Sequence, residues 1–364
     1  MQSKNRLVVA AAGTGKTSLL VDQAILYKNE PTLITTYTLN GCEEIKKKFI
    51  QKRGYIPPWV TIMSWYQFLL RECVRPYQSI LYPSRISSVF FPESPELFYG
   101  KHRYVSESKD FNKFYFVAQN KIIERNVSKF AVRCNEATQG LVTTRLAMLY
   151  KHILIDEIQD LAGWDLSLIE QILSSTSETI LVGDPRQCTY LTNHSTKNKN
   201  RTGLLVLDFF KELEKENLLT IDTMSESYRC SQKICDFANK IYPGLPPMSA
   251  IREETLHDGI FYIRDDAVEM YVKKSQPKIL RWDKRVNIFG FPASNIGDVK
   301  GLTFENVLIM PTLDMIKFLE GGVLNSSKQV SLAKFYVAVT RAKTQVVFIY
   351  SGSKDLRIQQ LSDV

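Results

Sequence analysis

The sequence of 364 residues lacks any run of about 18 apolar residues, which is the length that a membrane-spanning helix needs. Its start lacks the apolar stretch and small-residue cleavage site of a secretory signal peptide. The 6 cysteines form no C-x-x-C pair, and the 4 histidines lie too far apart in sequence to suggest a metal cluster. We therefore expect a reduced, cytoplasmic protein without disulfides, structural zinc or a membrane span.

Negative charge is in deficit. The chain has 47 Lys and Arg against 38 Asp and Glu, which gives a formal net charge of +9. A positive excess favours a polyanionic partner such as nucleic acid, but by itself it specifies no activity. Repeats and low-complexity tracts are absent too, so the length predicts about two ordinary globular domains.

Short apolar runs alternate with helical patterns along much of the chain. This alternation predicts an α/β fold with parallel sheets covered on both faces. The predicted strands are residues 7–10, 32–36, 153–155, 179–182, 218–221 and 346–350, and predicted helices include 16–27, 42–49 and 204–216.

The pattern changes between residues 71 and 149, where prolines and aromatic residues are dense and a helix is predicted over 111–125. We interpret this stretch as a mostly helical insertion into a first domain, residues 1–216. A second domain, residues 217–364, is predicted to hold a reduced insertion at about 243–285. The polar, basic stretch 193–202 is predicted to be a loop.

A phosphate-binding loop is the first motif with chemical meaning. Residues 10–17 read A-A-A-G-T-G-K-T between a predicted strand and a predicted helix, the context that this motif requires. Gly13 and Gly15 allow backbone N–H groups to turn towards phosphate oxygens at a helix N-terminus. Lys16 can reach the β- and γ-phosphates, and the Thr17 hydroxyl can bind Mg²⁺. The alternative is a glycine-rich turn without a nucleotide.

An acidic pair follows the predicted strand 153–155. Asp156 then stands at the carboxyl end of a buried strand, where open α/β sheets bind ligands, and can hold Mg²⁺. Glu157 can polarise an attacking water as a general base. Such a pair alone is more often a solvated sheet edge, but beside a phosphate-binding loop it favours phosphoryl chemistry.

Two arginines, Arg229 and Arg341, lie in the second predicted domain. Phosphoryl transfer needs positive charge against the γ-phosphate, and an arginine from a second domain would make hydrolysis depend on domain closure. Taken alone, an arginine of this kind is more often an ordinary surface or salt-bridge residue.

With these residues in place, the sequence resembles superfamily 1 helicases of the UvrD/Rep type. Eight segments follow that family's motif order: A-A-A-G-T-G-K-T at 10–17, T-T-Y-T-L-N at 35–40, T-I-M-S-W at 61–65, D-E-I-Q-D at 156–160, G-D-P-R-Q-C-T-Y at 183–190, S-Y-R-C-S at 227–231, V-K-G-L-T-F at 299–304 and Y-V-A-V-T-R-A at 336–342.

The resemblance implies two RecA-like domains, with Mg-ATP between them and single-stranded DNA across their tops. It assigns Gln187, Arg229 and Arg341 to the γ-phosphate and Tyr228 to the adenine. The implied nucleotide contacts are Ala12, Gly13, Thr14, Gly15, Lys16, Thr17, Ser18, Tyr228 and Gly301, and the implied DNA contacts are Tyr37, Thr38, Asn40, Ser64, Trp65 and Tyr190. Core packing is the alternative for each of the aromatic residues.

Several positions depart from the family pattern. Only 9 residues precede Ala10, so we do not expect the adenine-reading glutamine motif that the family has upstream. The family usually has a Thr and a His just before the segment V-K-G-L-T-F at 299–304, where this chain has Asn295 and Gly297, and Thr303 replaces a Glu within it. The polar stretch 192–202 replaces an arginine-bearing segment. The accessory subdomain between residues 231 and 299 is reduced, which predicts a near-minimal motor.

The leading hypothesis is an ATP-dependent single-stranded-DNA translocase that unwinds duplex, with the 3′-to-5′ polarity that the resemblance implies. The main alternative is a DNA-stimulated ATPase subunit that senses DNA and controls a partner nuclease in DNA repair or phage defence. A nucleotide-binding scaffold without hydrolysis is disfavoured because Lys16, Glu157, Gln187, Arg229 and Arg341 are all present. DNA versus RNA preference, the pathway and the partner stay open.

Overall fold

The computed structural model describes residues 3–93, 97–98, 100, 105–190, 197–324 and 329–361. The chain divides into two compact units, which we call unit 1 and unit 2. Unit 1 comprises Met1–Val8, Lys16–Gly183 and Leu191–Asp222, and unit 2 comprises Val9–Gly15, Asp184–Tyr190 and Thr223–Val364. Residues 9–15, which hold most of the predicted phosphate-binding loop, and residues 184–190 therefore belong with the second half of the chain.

The strands of the described residues are short and mostly apolar. In chain order they are β1 (Arg6–Ala10), β2 (Thr32–Thr36), β3 (Val60–Ser64), β4 (Val89–Phe90), β5 (Phe116–Val117), β6 (Lys121–Ile123), β7 (His152–Ile155), β8 (Glu178–Gly183), β9 (Thr220–Met224), β10 (Glu226–Ser227), β11 (Ser249–Ala250), β12 (Gly259–Ile263), β13 (Lys278–Arg281), β14 (Ser294–Asn295), β15 (Phe304–Ile309), β16 (Ala342–Ile349) and β17 (Gln359–Gln360).

The helices lie between these strands. In chain order they are α1 (Lys16–Leu26), α2 (Leu39–Arg53), α3 (Trp65–Phe68), α4 (Phe111–Tyr115), α5 (Glu124–Ala137), α6 (Leu141–Leu149), α7 (Trp164–Leu173), α8 (Val206–Lys215), α9 (Gln232–Ile241), α10 (Val268–Ser275), α11 (Leu313–Leu319) and α12 (Gln329–Thr340). A π-helix, Leu69–Val74, continues α3, and 3-10 turns occur at Gln78–Ile80, Ala118–Asn120, Ile158–Asp160, Pro185–Gln187, Gly203–Leu205, Asp265–Ala267 and Ile296–Val299.

The first six-stranded sheet has the order β3-β2-β7-β8-β1-β9. Strands β3, β2, β7 and β8 pair in parallel. Every residue of β2 and β7 is buried, as expected for strands covered on both faces. Because parallel strands end at the same edge, the motif residues that follow β2, β3 and β7 are brought to one side of the sheet.

Unit 2 contains a second six-stranded sheet, ordered β14-β13-β15-β16-β12-β17, in which every pair of neighbours is parallel. Its central strand β16 is buried from Val346 to Ile349. Strands β12 and β13 both fall within residues 243–285, so much of the stretch predicted as an insertion belongs to the sheet itself. The predicted fold class, two parallel α/β sheets of RecA-like type, is confirmed.

The stretch 71–149 differs from its prediction in one respect. The helix predicted over 111–125 is wrong, because α4 ends at Tyr115 and the chain forms β5 and β6 before α5 begins at Glu124. These strands pair antiparallel, and β6 also pairs with β4. The pairing buries Phe116, Ile122 and Ile123. Within the predicted loop 193–202, residues 193–196 lie outside the described part of the chain.

In the described residues, no helix is long and apolar enough to cross a membrane.

Candidate nucleotide site and nucleic-acid interface

The phosphate-binding loop has the backbone shape that its glycines predict. Gly13 (φ 79°) and Gly15 (φ 87°) both adopt the left-handed conformation, which L side chains rarely adopt. A Cβ atom at Gly13 would collide with Ser227 Oγ and lie 2.7 Å from Arg229 Cβ, so the loop packs too closely on residues 227–229 to accept any side chain. The Thr14 hydroxyl donates to the Ala11 carbonyl (2.9 Å) and closes the turn.

Three successive loop residues form hydrogen bonds with later parts of unit 2. The Ala11 N–H donates to the Met224 carbonyl (2.9 Å), and the Gly13 carbonyl accepts from the Tyr228 N–H (3.0 Å). Between them, the Ala12 N–H donates to the Tyr336 hydroxyl (3.2 Å). Sequence reasoning quoted Tyr336 only as part of a motif and gave it no role; nothing in the sequence indicates that its hydroxyl reaches residue 12.

In unit 1, the oxygen donors suited to a magnesium ion lie together. Lys16 opens α1, and the Thr17 hydroxyl donates to Asp156 Oδ2 (3.4 Å). A hydroxyl and a carboxylate fit Mg²⁺, which prefers oxygen ligands and keeps several of its waters. Burial, and then the charge of Glu157, raise the pKa of Asp156 to about 7, while Lys16 lowers it. Among the described residues, no group of three or more His, Cys, Asp or Glu could hold a metal.

Glu157 adopts an uncommon backbone conformation. Its φ of 59° lies in the left-handed region, which is rare for residues other than glycine and is often found at functional sites. The Glu157 N–H donates to Asp156 Oδ1 (2.9 Å), and the Gln159 amide donates to the Glu157 carboxylate. Gln159 is fully buried and therefore fixes that carboxylate. From the sequence we assign no role to Gln159, although its position in the D-E-I-Q-D segment points to one.

In unit 2, the structure brings Gln187 and Arg341 together. Arg341 Nη2 donates to Gln187 Oε1 (3.0 Å), and Gln187 Nε2 donates to Asp184 Oδ2 (2.8 Å). Arg341 also donates to the Leu302 carbonyl (3.3 Å). All of these side chains except that of Leu302 are buried. The two residues assigned to the γ-phosphate by resemblance thus share one hydrogen-bonded network.

The remaining nucleotide candidates of unit 2 differ in exposure. Arg229 is half-buried, and its Nη1 donates to the Thr340 carbonyl (3.1 Å) at the end of α12. Tyr228 is 68% exposed, so its ring is accessible for stacking on a base. Gly301 has a φ of 87°, which explains a glycine in the turn before β15. Ala12 is buried, while Ser18 on α1 of unit 1 is half-buried.

The candidate DNA contacts of unit 1 follow β2 and β3. Thr38 caps α2 by accepting from the Gly41 N–H (3.0 Å), and Ser64 caps α3 in a capping box with Gln67. Asn40 is exposed, and half-buried Tyr37 packs against Tyr66 with ring centroids 5.9 Å apart. Tyr37 and Asn40 therefore present some surface, while Thr38 and Ser64 have structural roles that explain them without DNA.

Trp65 does not present a ring to a base. It is only 1% exposed, and its indole N–H donates to Asp165 Oδ1 (2.8 Å) while the ring packs on Phe68 at 5.3 Å. The DNA-stacking interpretation of Trp65 is corrected accordingly, because a ring enclosed by the core has no free face. The core-packing alternative describes this residue.

Tyr190 is different, because it is 36% exposed in unit 2. The Lys300 ammonium lies 5.2 Å from its ring centroid. An exposed aromatic ring beside a cation is the combination that binds single-stranded nucleic acid, where bases stack and phosphates need positive charge.

Sequence comparison gives one family match. Residues 84–197 match the UvrD/REP helicase N-terminal domain. The matched range includes the D-E-I-Q-D segment and ends within the predicted loop 193–202. No curated protein matches the chain by sequence.

Three solved structures resemble the chain at low identity. A crystal structure of arterivirus nonstructural protein 10, a helicase, has 13% identity and a TM-score of 0.48 over 95% of this chain and 59% of its own. The PRRSV helicase has 16% identity and a TM-score of 0.45, with coverages of 96% and 52%. The arterivirus protein in complex with DNA has 13% identity and a TM-score of 0.47, with coverages of 96% and 61%.

The chain thus spans between 52% and 61% of the length of these structures. With TM-scores below 0.5, these structures give no information about the function of this chain. The likeness to helicases therefore lies in residues 84–197, which are similar to the UvrD/REP helicase N-terminal domain, and in the motif residues described above.

Proposed function

We propose that this protein is an ATP-dependent single-stranded-DNA translocase and helicase that moves 3′ to 5′. The observation that carries the proposal is the network in unit 2, where the phosphate-binding loop packs on residues 227–229 and Arg341 bonds Gln187. Arg229 and Arg341 are the cations that phosphoryl transfer needs, and Gln187 is held between Arg341 and Asp184.

The residues have distinct chemical roles in this proposal. Backbone N–H groups of residues 13–17 and Lys16 bind the phosphates, and Thr17 and Asp156 hold Mg²⁺. The bound Mg-ATP supplies the scissile phosphoanhydride and charge neutralisation at its oxygens. Glu157, oriented by Gln159, accepts a proton from the attacking water. Arg229 and Arg341 stabilise the negative charge that develops on the γ-phosphate oxygens.

Coupling to DNA is proposed from two aromatic residues, the exposed Tyr190 and the half-buried Tyr37. Tyr190 with Lys300 in unit 2, and Tyr37 with Asn40 in unit 1, offer stacking and polar contacts beside the nucleotide motifs. The net charge of +9 favours the phosphate backbone of the strand.

The first test is the steady-state ATPase rate with and without single-stranded DNA, with the Glu157→Gln variant as the blank. We expect strong stimulation by DNA and loss of turnover when EDTA removes Mg²⁺. A rate that ignores DNA would contradict the coupled motor. Duplexes with a 3′ or a 5′ single-stranded tail then test polarity: preferential unwinding of the 3′-tailed duplex supports the proposal.

Translocation without strand separation would instead favour the alternative, a DNA-stimulated ATPase that acts on a partner nuclease. The same assay repeated with single-stranded RNA decides the nucleic-acid class.

A further inference from the structure

Tyr336 lies on α12 in unit 2, five residues before Arg341. Its side chain is only 1% exposed, and its ring packs against Tyr242 with centroids 5.6 Å apart. A phenylalanine would fill this space equally well. A hydroxyl in such a place is costly unless it is hydrogen-bonded, so its partners explain why a tyrosine stands here.

The hydroxyl contacts a loop N–H and a thioether, and the Arg186 side chain interacts with it as well. It accepts from the Ala12 N–H of the phosphate-binding loop (3.2 Å) and donates to Met248 Sδ (3.4 Å). Ala12 is fully buried, so water cannot replace the phenol as the acceptor for that N–H. The Tyr336 hydroxyl therefore supplies the hydrogen-bond acceptor that the buried Ala12 N–H needs.

The last turn of α12 also contacts the other groups of the nucleotide site. The Thr340 carbonyl accepts from Arg229 Nη1 (3.1 Å), and Arg341 donates to Gln187 (3.0 Å). The Thr340 hydroxyl donates to the Tyr336 carbonyl (2.8 Å) and so ties these residues to one turn. Arg186, next to Gln187, lies over the Tyr336 ring at 5.8 Å.

We propose that Tyr336 is a positioning residue for nucleotide binding. Its hydroxyl holds the Ala12 segment of the phosphate-binding loop in register with the helix turn that carries Arg341. The direction of the backbone N–H groups further along the loop, which would donate to the phosphates, depends on this register. Rotation of the peptide at residue 12 would turn these N–H groups away from the phosphates. This inference depends on the proposed function, because it acts through the same loop.

The test is Tyr336→Phe, which removes only the hydroxyl. Nucleotide affinity is measured by calorimetry with a non-hydrolysable ATP analogue and Mg²⁺, and kcat and KM by ATPase assay on single-stranded DNA. We expect Kd and KM to rise about tenfold, the effect of losing one hydrogen bond to a buried backbone donor, while kcat changes less than about twofold.

Two matched variants control for general damage. Met248→Leu removes the thioether that accepts from the hydroxyl but leaves the bond to Ala12. Tyr271→Phe removes a hydroxyl from another buried tyrosine of unit 2, which donates to Gln345 at 3.3 Å. Both are expected to bind the analogue like the unmodified protein. An affinity loss in Tyr271→Phe equal to that in Tyr336→Phe would overturn the proposal, as would unchanged affinity in Tyr336→Phe.

Lys16→Ala separates this inference from the proposed function. If Lys16→Ala binds the analogue as tightly as the unmodified protein, the phosphate-loop assignment itself fails. If Lys16→Ala binds weakly and Tyr336→Phe binds normally, only the role of Tyr336 fails.

Discussion

At the scale of single residues, Glu157 and Asp156 are adjacent carboxylates with different surroundings. Asp156 is buried against Thr17, whereas Glu157 is half-buried, has a left-handed backbone and is bonded by Gln159. These surroundings support different roles, metal binding for the first and proton acceptance for the second.

Glu157→Gln keeps the size of the side chain and removes its ability to take a proton. We expect kcat for ATP hydrolysis to fall by at least about 100-fold, with nucleotide affinity unchanged, because general-base catalysis contributes roughly that much. Glu170→Gln, at an exposed position of α7, is the matched control and should hydrolyse normally. Undiminished turnover in Glu157→Gln would remove Glu157 from its assigned role.

Tyr190→Ala tests the exposed ring beside Lys300. We expect the affinity for single-stranded DNA to weaken by about 1–3 kcal/mol, the typical contribution of one stacked base, without a change in ATP-analogue affinity. Fluorescence anisotropy with a labelled oligonucleotide measures this. Tyr55→Ala, which removes another exposed tyrosine that is 48% accessible, serves as the control. Equal DNA affinity in both variants would exclude Tyr190 from the interface.

At the scale of elements, one buried carboxylate joins three helices of unit 1. Asp165 of α7 accepts from the Trp65 indole of α3 (2.8 Å) and from the Ser128 hydroxyl of α5. Both partners are buried. These contacts fix the helices that follow β3 and precede β8, and they explain why the tryptophan of the T-I-M-S-W segment faces inward.

Trp65→Phe should therefore affect stability rather than DNA binding. Removal of the indole N–H leaves Asp165 with one partner fewer, and we expect the free energy of unfolding to fall by about 1–3 kcal/mol. Urea denaturation measures the loss, with Trp164→Phe at the half-buried neighbouring position as the control. The core interpretation would be wrong if Trp65→Phe weakened DNA binding while its denaturation curve stayed unchanged.

At the scale of the whole molecule, the positive net charge of +9 predicts salt-dependent binding. Each phosphate neutralised by the protein releases counterions and contributes about −0.7 to the slope of log affinity against log salt for a single strand. We expect single-stranded-DNA affinity to fall at least about tenfold between 50 and 200 mM salt. A salt-independent affinity, measured by the same anisotropy assay, would contradict an electrostatic interface.

Much of this protein could be predicted from the order of its residues alone. The strands at 32–36 and 153–155, the loop glycines Gly13 and Gly15, and the acidic pair after β7 depend on local patterns, so periodicity and motif spacing were sufficient to find them. The predicted helix 111–125 failed because its short apolar runs, 114–118 and 122–123, fit either period, and the pairing of β6 with β4 and β5 selects the strand.

Which side chains are buried, and which groups they contact, could be known only from the folded structure. Whether Trp65 faces a base or the core, and whether Tyr336 reaches Ala12, depends on elements that lie 100 and 324 positions away in sequence. No local pattern encodes such contacts, because they arise when distant elements pack and each buried polar group must find a partner. The motifs thus specify which chemistry is available, and the packing of the two sheets with their helices selects the side chains that can perform it.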